Sequence, residues 1–344
     1  MTVTREQLRQ RLAVIEARRH HFEWQSKQPG MLKRHEAWRH AYLARPYLIG
    51  APDDRVAERF CHIFMNVMEL GSDGRVRPVS HLDTTEFMEI FTHILEEYGA
   101  RTGGMPPDKL IASARAPIAR YFEHGPPIAV EMFKNYQTPE PPYLVKYGKR
   151  QFLEPMLEHG TIRLANAASY NDASFLASVR DDETSRTFFI PTYDDRLEGR
   201  RSMDFRGQII DFGDDDIVLP MIFEDYYLFS LCEQIHYRMP TDFGADSALV
   251  IRNPGLFKQR LISTFLSQYP EWEPLEGPVT YYDPYRDYSK FSVPEMAKHF
   301  GYAYQKEFRI AFRPRATVTS GLAPMFLSIG SMRDYADLAS APTL

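Results

Sequence analysis

Glu307 and Arg309 stand two residues apart in "YAYQKEFRIAFRP" (302–314). On a strand, Gln305, Glu307 and Arg309 share one face, while Tyr302, Tyr304, Phe308, Ile310 and Phe312 share the other. The aromatic face packs into a core, and the opposite face sets a carboxylate beside a guanidinium. Two chemistries fit that pair. One is an ion pair on a solvated sheet face. The other is a positioned carboxylate that hydrogen-bonds a sugar hydroxyl or stabilises positive charge developing in a substrate.

A second polar set lies in "PPYLVKYGKRQFLEPMLEHGTIRLANAASYNDASF" (141–175), which reads as strand, helix, strand and polar loop, with Gly160 stopping the helix. Lys146 and Tyr147 close the first strand. The ammonium suits a phosphate, and the tyrosine offers a ring face and a hydroxyl. Asn166, Asn171 and Asp172 close the second strand and are suited to reading the polar edges of a ligand. Turn chemistry explains Asn171 and Asp172 equally well, because Asn and Asp bond to their own backbone.

Other groupings lack the spacing their chemistry needs. "RHEAWRH" places His35 and His40 five residues apart, roughly 140° around a helix, so they do not share a metal as an i, i+4 pair does. "DFGDDDIV" (211–218) lacks the ligand spacing of a calcium loop and reads as a solvated hairpin turn. The carboxylates at Asp211 to Asp216 and at Asp181, Asp182 and Glu183 offer the only magnesium-binding clusters for a nuclease or phosphoesterase. No glycine-rich dinucleotide fingerprint, phosphate-binding loop or nucleophile elbow is present.

The elements that must position these residues divide the chain in two. Residues 1–138 read as a helical domain: Leu8, Leu12 and Ile15 recur at helical spacing, and Asp53 opens a helix with Val56, Phe60, Phe64 and Val67 on one stripe. Asp83 or Thr84 caps a further helix that Gly99 ends. No strand is expected there. "QTPEPPY" (137–143) breaks the pattern. Residues 139–344 read as a mixed domain: eight strand-like stretches from "PYLVKYG" to "KEFRIAFRP", with helices at 149–160 and 253–269 and a further one in "VPEMAKHFGYAY". Few helical crossovers argue for largely antiparallel pairing, so the fold class expected is α+β.

The chain has 344 residues, a formal net charge of −5 and two distant cysteines. That charge gives no overall basic footprint for nucleic acid, and the two cysteines make no metal or redox motif. The N-terminal "MTVTREQLRQRLAVIEARRHH" has the pattern of a helix rather than of a secretory leader, and no apolar run approaches the roughly 20 residues of a membrane span. The expectation is a cytoplasmic protein without a membrane partner.

The order of these pieces resembles the bacterial DUF2971 family, through Tyr147 on the first strand, Asn171–Asp172 after the second and Glu307–Phe308–Arg309 on a late strand. The likeness covers roughly residues 143 to 313. Gln305 stands where that family has a first glutamate, and Ala173 where it has proline. More distantly the layout is similar to ADP-ribosyltransferases of the DNA- and RNA-modifying toxin type, whose sheet is split. That resemblance implies NAD as substrate and Glu307 as the catalytic carboxylate, with Tyr147 lining the nicotinamide pocket. Lys146, Arg163, Asn166, Asn171, Asp172 and Arg309 would then contact the dinucleotide. It also implies a toxin or phage-defence effector acting on nucleic acid or protein, with the helical half binding the target, an inhibitor or another copy. The alternative is a non-catalytic protein that binds a nucleotide or partner.

Overall fold

The computed structural model describes residues 2–26, 32–79, 85–174, 176–178, 180–205, 207–287, 293–316 and 321–341. The first half is built of α1 (Arg5–Ser26), α2 (Arg34–Ala44), α3 (Asp53–Asn66), α4 (Thr85–Thr102), α5 (Asp108–Ala119) and α6 (Ile128–Phe133). α3 shows the logic. Val56, Phe60 and Ile63 recur at helical spacing and are buried, against Ile90, Ile94 and Tyr98 of α4. Its cap is Pro52, and Asp53 is the first helical residue rather than the cap. The cap residues expected for α4, Asp83 and Thr84, lie outside the described residues.

The expectation of no strand in this half is corrected by a short hairpin, β1 (Met68–Leu70) and β2 (Val76–Pro78). Its strands are three residues long, too short for period-two alternation to show. Gly74 at φ 73° makes the turn.

The eight strand-like stretches of the second half are strands, six further strands join them, and the fold is α+β. It contains β3 (Leu144–Gly148), α7 (Arg150–His159), β4 (Thr161–Asn166), β5 (Ser185–Ile190), α8 (Tyr193–Glu198), β6 (Ser202–Phe205), β7 (Gln208–Asp211), β8 (Ile217–Ile222) and β9 (Tyr227–Cys232). It continues with α9 (Met239–Asp242), β10 (Ser247–Ile251), α10 (Pro254–Gln268), β11 (Trp272–Pro278), β12 (Thr280–Tyr282), β13 (Ala297–His299), β14 (Glu307–Pro314), β15 (Met325–Ser328) and β16 (Ala336–Ser340). Of these strands, β6, β8, β11, β13, β15 and β16 were not expected.

An antiparallel sheet runs β11-β14-β9-β3-β10-β16, with β4 and β15 branching from β9. The branch matters for everything that follows. On one edge β9 pairs with β14 along its whole length. On the other edge β4 takes its start, at Tyr227 and Leu228, and β3 takes its end, at Cys232. Between those contacts the two partners diverge, and among the described residues no strand neighbours Phe229 to Leu231 on that side. Both sheet faces are covered. Phe229, Leu249, Ile310 and Phe312 pack beneath α7 and α10, and Val145, Tyr147, Cys232 and Val250 pack against α6 and α9.

The segment 294–305 is not the helix its sequence suggested. It is a short turn of 3-10 helix, then β13, then a second 3-10 turn over Phe300–Gln305. β13 pairs in parallel with β12. The helical half seals this segment in place. Arg59 of α3 donates two bonds to Asp283, at 2.9 and 2.5 Å, with both residues buried. Asn66 donates to the carbonyls of Phe300 and Gly301 and accepts from the Tyr304 amide. Tyr285 and Phe300 belong to the same apolar core as α1 to α4. The acidic turn is also less solvated than expected, because Asp216 is buried and Asp215 receives Arg55 at 2.5 Å.

Candidate active site

The divergence of β3 and β4 from β9 opens a cavity of about 190 Å3. Val145, Lys146 and Tyr147 line it from β3, Ser230 to Cys232 from β9, and Glu307 from β14, with Tyr170, Ser178, Glu183, Lys298 and Gln305 from the surrounding loops and β13. Antiparallel register explains the meeting. Glu307 lies opposite Cys232 and Arg309 opposite Ser230, while Val145 faces Cys232 from the other side. Residues of one parity on three adjacent strands therefore project into one space. Lys146 has the opposite parity, yet at the gap its ammonium donates to the Ser230 carbonyl at 2.8 Å, a carbonyl that no strand neighbours there.

Glu307 is buried, so of the two readings left open the ion pair on a solvated sheet face is ruled out. One oxygen, Oε1, accepts from Ser230 Oγ at 2.6 Å and from Arg309 Nε at 2.8 Å. Oε2 accepts from Lys298 Nζ at 3.0 Å. Burial alone would raise its pKa, but Arg309, Lys298 and the bonds from Arg309 and Ser230 outweigh that and hold it far below the usual carboxylate range. Glu307 is thus ionised at neutral pH. A carboxylate has about four acceptor positions, so three donors leave one position on Oε2.

Arg309 does not face the cavity. It is fully buried behind Glu307, gripped by Glu183 through two 2.9 Å bonds and by the Glu295 carbonyl at 2.8 Å. Glu183 also accepts from Arg186 at 3.0 Å and from Tyr226 at 3.2 Å. With two guanidiniums on Glu183, the 181–183 cluster offers that carboxylate to no metal ion. Asp181 is different: burial and Glu183 push its carboxyl up to about 6, and its buried Oδ2 has no partner among the described residues. Burial pulls the Lys146 ammonium down to about 8 and pushes the Cys232 thiol up to about 12.

Of the residues singled out from the sequence, Glu307, Lys146 and Tyr147 meet at the cavity. The Tyr147 hydroxyl accepts from the His236 amide at 2.8 Å and donates to the His236 carbonyl at 3.3 Å. Arg163 is exposed on β4 and does not line the cavity. Asn166 is buried and donates to Asp225 at 3.0 Å. Asn171 and Asp172 are exposed, and Asp172 accepts from the Ser174 amide at 2.8 Å, a side-chain turn of the ordinary kind. The polar loop does reach the cavity, but through Tyr170 and Ser178.

Sequence reasoning missed Ser230, Lys298 and Tyr170. Ser230 carried a signal, as the one polar residue inside the apolar "YYLFSLC". Lys298 was hidden in a stretch read as helix.

Among the described residues no helix is long and apolar enough to cross a membrane, and no group of three His, Cys, Asp or Glu is arranged to hold a metal ion. Comparison of the chain with protein-family models, with curated proteins and with solved structures finds no match in any of the three.

Proposed function

We propose that this chain is an NAD-consuming ADP-ribosyltransferase-like effector, of toxin or phage-defence type, that transfers ADP-ribose to nucleic acid or protein. The observation that carries the reading is an ionised, buried Glu307 carboxylate on the wall of a small cavity, with one acceptor position open. A ribose hydroxyl donating to that position would be held where positive charge develops at C1′ as the glycosidic bond breaks. In that step the electron pair of the C1′–N bond goes to the nicotinamide nitrogen. The acceptor nucleophile then bonds to C1′ and releases its proton.

The cavity volume fits this division of labour. At about 190 Å3 it is smaller than the roughly 300–1,000 Å3 of pockets that enclose a whole drug-sized ligand. It suits one ring, with Tyr147 and Tyr170 as its aromatic walls, and leaves the rest of a dinucleotide outside. Lys146 is the cation on the lining nearest in character to a phosphate partner. The effector role rests on the family resemblance. The helical half, which anchors the segment carrying Lys298 and Gln305, would bind the target, an inhibitor or a second copy.

One observation favours a non-catalytic nucleotide-binding protein instead: three donors already occupy Glu307. A single assay separates the two. Purified protein is incubated with NAD and with RNA, DNA or lysate, and nicotinamide release is followed by chromatography, for wild type, Glu307→Gln and Ser230→Ala. Loss of one preorganised electrostatic group is expected to lower turnover by about 10²–10³-fold. A shift in melting temperature with NAD but no released nicotinamide would move the binding protein to the front.

A further inference from the structure

Two lysines line the cavity beside Glu307, and their surroundings differ. Burial works against the Lys298 ammonium, but Glu307 at 3.0 Å, with Asp181 and Glu183 behind it, outweighs burial and holds that lysine above its ordinary range. Lys146 has no such partner. Its Nζ donates to the Ser230 carbonyl at 2.8 Å and lies 4.5 Å from the centre of the Phe229 ring, and among the described residues it forms no ion pair.

Burial is the largest influence on Lys146, ahead of the Cys232 thiol on β9, Glu307 on β14 and Arg163 on β4, and it pulls the ammonium down to about 8. At pH 7.5 roughly a quarter of the molecules then carry a neutral amine there, against roughly one in a thousand for an ordinary lysine. A neutral amine keeps its bond to the Ser230 carbonyl through one N–H and has a lone pair to spare. A lysine in that state is a nucleophile toward carbonyl carbon. Lys146 is half-buried rather than sealed, so a ligand in the cavity is able to meet it.

Ser230 ties this amine to the carboxylate. Its carbonyl accepts from Lys146, and its hydroxyl donates to Glu307 at 2.6 Å. One residue therefore separates an amine suited to a carbonyl from the open acceptor position on Glu307 Oε2, which suits a hydroxyl. A ligand that uses both carries its hydroxyl close to its carbonyl, and a cavity of about 190 Å3 admits a small one.

We propose that Lys146 forms an imine with a small hydroxyaldehyde, such as the open-chain form of a short sugar, whose hydroxyl donates to Glu307. The nitrogen lone pair bonds the carbonyl carbon, and the π pair of the C=O bond moves to oxygen. That oxygen collects the two protons that nitrogen gives up and leaves as water, and the nitrogen pair closes the C=N bond. The step needs neither binding nor turnover of NAD, and it stands if the transferase reading fails.

The test is incubation of the full chain with glycolaldehyde or acetaldehyde and sodium cyanoborohydride, which reduces an imine to a stable secondary amine, followed by peptide mass mapping. At pH 7.5 Lys146 is expected to take up glycolaldehyde about tenfold faster than the exposed Lys134 and Lys149, since the lower nucleophilicity of a less basic amine offsets part of its larger neutral fraction. Its rate should rise as pH passes through about 8. Glycolaldehyde should be preferred over acetaldehyde severalfold more at Lys146 than at the two exposed lysines, because only there does a carboxylate receive the hydroxyl. Lys146→Arg keeps a cation and a donor for the Ser230 carbonyl, and should lose the fast label alone. The wild-type map decides by itself if that variant fails to fold. Labelling of Lys146 no faster than that of Lys134 and Lys149 overturns the proposal, and so does the same preference between the two aldehydes at all three lysines.

Discussion

Glu307→Gln keeps the shape of the side chain and removes its charge, and its effect on stability follows from the partners left behind. Arg309 retains the two bonds it donates to Glu183. Lys298 is the group that suffers, because it loses its ionic partner and keeps neutral acceptors, Gln305 Oε1 at 3.2 Å among them, while it is 5% exposed. Removing one member of a buried ion pair costs about 3–5 kcal/mol. The glutamine oxygen still accepts from Lys298, so the loss expected here is at the lower end, about 3 kcal/mol. Urea unfolding of wild type and variant near pH 7.5 measures it.

The same measurement near pH 4 supplies a check on the cause. A carboxylate whose folded pKa is depressed contributes stability that is fully present above its unfolded value, about 4.3 for glutamate. That stability is lost as pH falls toward the folded value. The difference between wild type and Glu307→Gln should therefore narrow at the lower pH. Glu183 and Asp283, also held low, weaken both proteins alike. A double variant, Glu307→Leu with Lys298→Met, should recover most of the loss, since an apolar pair of similar volume leaves no buried charge unpaired. Equal stability of wild type and Glu307→Gln near pH 7.5 would refute the reasoning, because it would mean that no ionised Glu307 is paired in the folded protein.

Four further outcomes are expected. Asp181 has a raised folded pKa of about 6, so folding favours its protonated form and stability declines as pH rises from the ordinary carboxylate value through that point. Asp181→Asn should abolish this decline and raise stability at neutral pH by about 1–3 kcal/mol, read from urea midpoints. If Lys146 holds an anionic part of the ligand, nicotinamide release should fall as pH rises through about 8, where its ammonium deprotonates, and Lys146→Met should be weaker and lack that step. Gly160 stands at φ 65°, with Gly330 O only 2.2 Å from where a Cβ would be. Gly160→Ala combines that clash with a left-handed conformation costing about 1–2 kcal/mol, so a loss of at least about 2 kcal/mol is expected in thermal or urea unfolding. Tyr170→Ala should impair NAD turnover and Asn171→Ala should not, since only the tyrosine lines the cavity; the reverse ranking would return the asparagine to the site.

The strands of the second half were legible because their apolar residues alternate, as Ile310 and Phe312 do against Glu307 and Arg309. Gly160 was legible because a helix end needs a residue that tolerates a left-handed turn. Pairing was not legible. Nothing in "YYLFSLC" says that β9 has two partners along one edge, and that divergence is what brings Ser230, Lys146 and Glu307 together. The Asn171–Asp172 motif misled for a related reason. Short polar residues after a strand satisfy their own backbone as readily as a ligand, and here Asp172 does so, while the bulkier Tyr170 beside it fills the cavity wall. The burial of Glu307 was equally hidden, since two of the side chains that bond it, Ser230 and Lys298, come from 77 and nine residues before it in the chain.

The helical half takes part in building the cavity even though, among the described residues, it contributes none to the lining. Lys298 reaches Glu307 from β13, and Gln305, at the end of the second 3-10 turn, accepts from Lys298; the ladder here is the short pairing of β13 with β12. So brief a ladder is a weak anchor for a side chain that must hold a buried carboxylate at 3.0 Å. The fixed points come from α3: Arg59 clamps Asp283 directly after β12, and Asn66 takes hold of Phe300, Gly301 and Tyr304 after β13. Two buried polar residues on one helix thus bracket Lys298 from both sides. A change that moves α3 would move Lys298 relative to Glu307, and the charge of the cavity wall would change with it. That makes the α3 contact the physical route by which anything bound to the helical half could alter the state of the cavity, and it needs no rearrangement of the sheet.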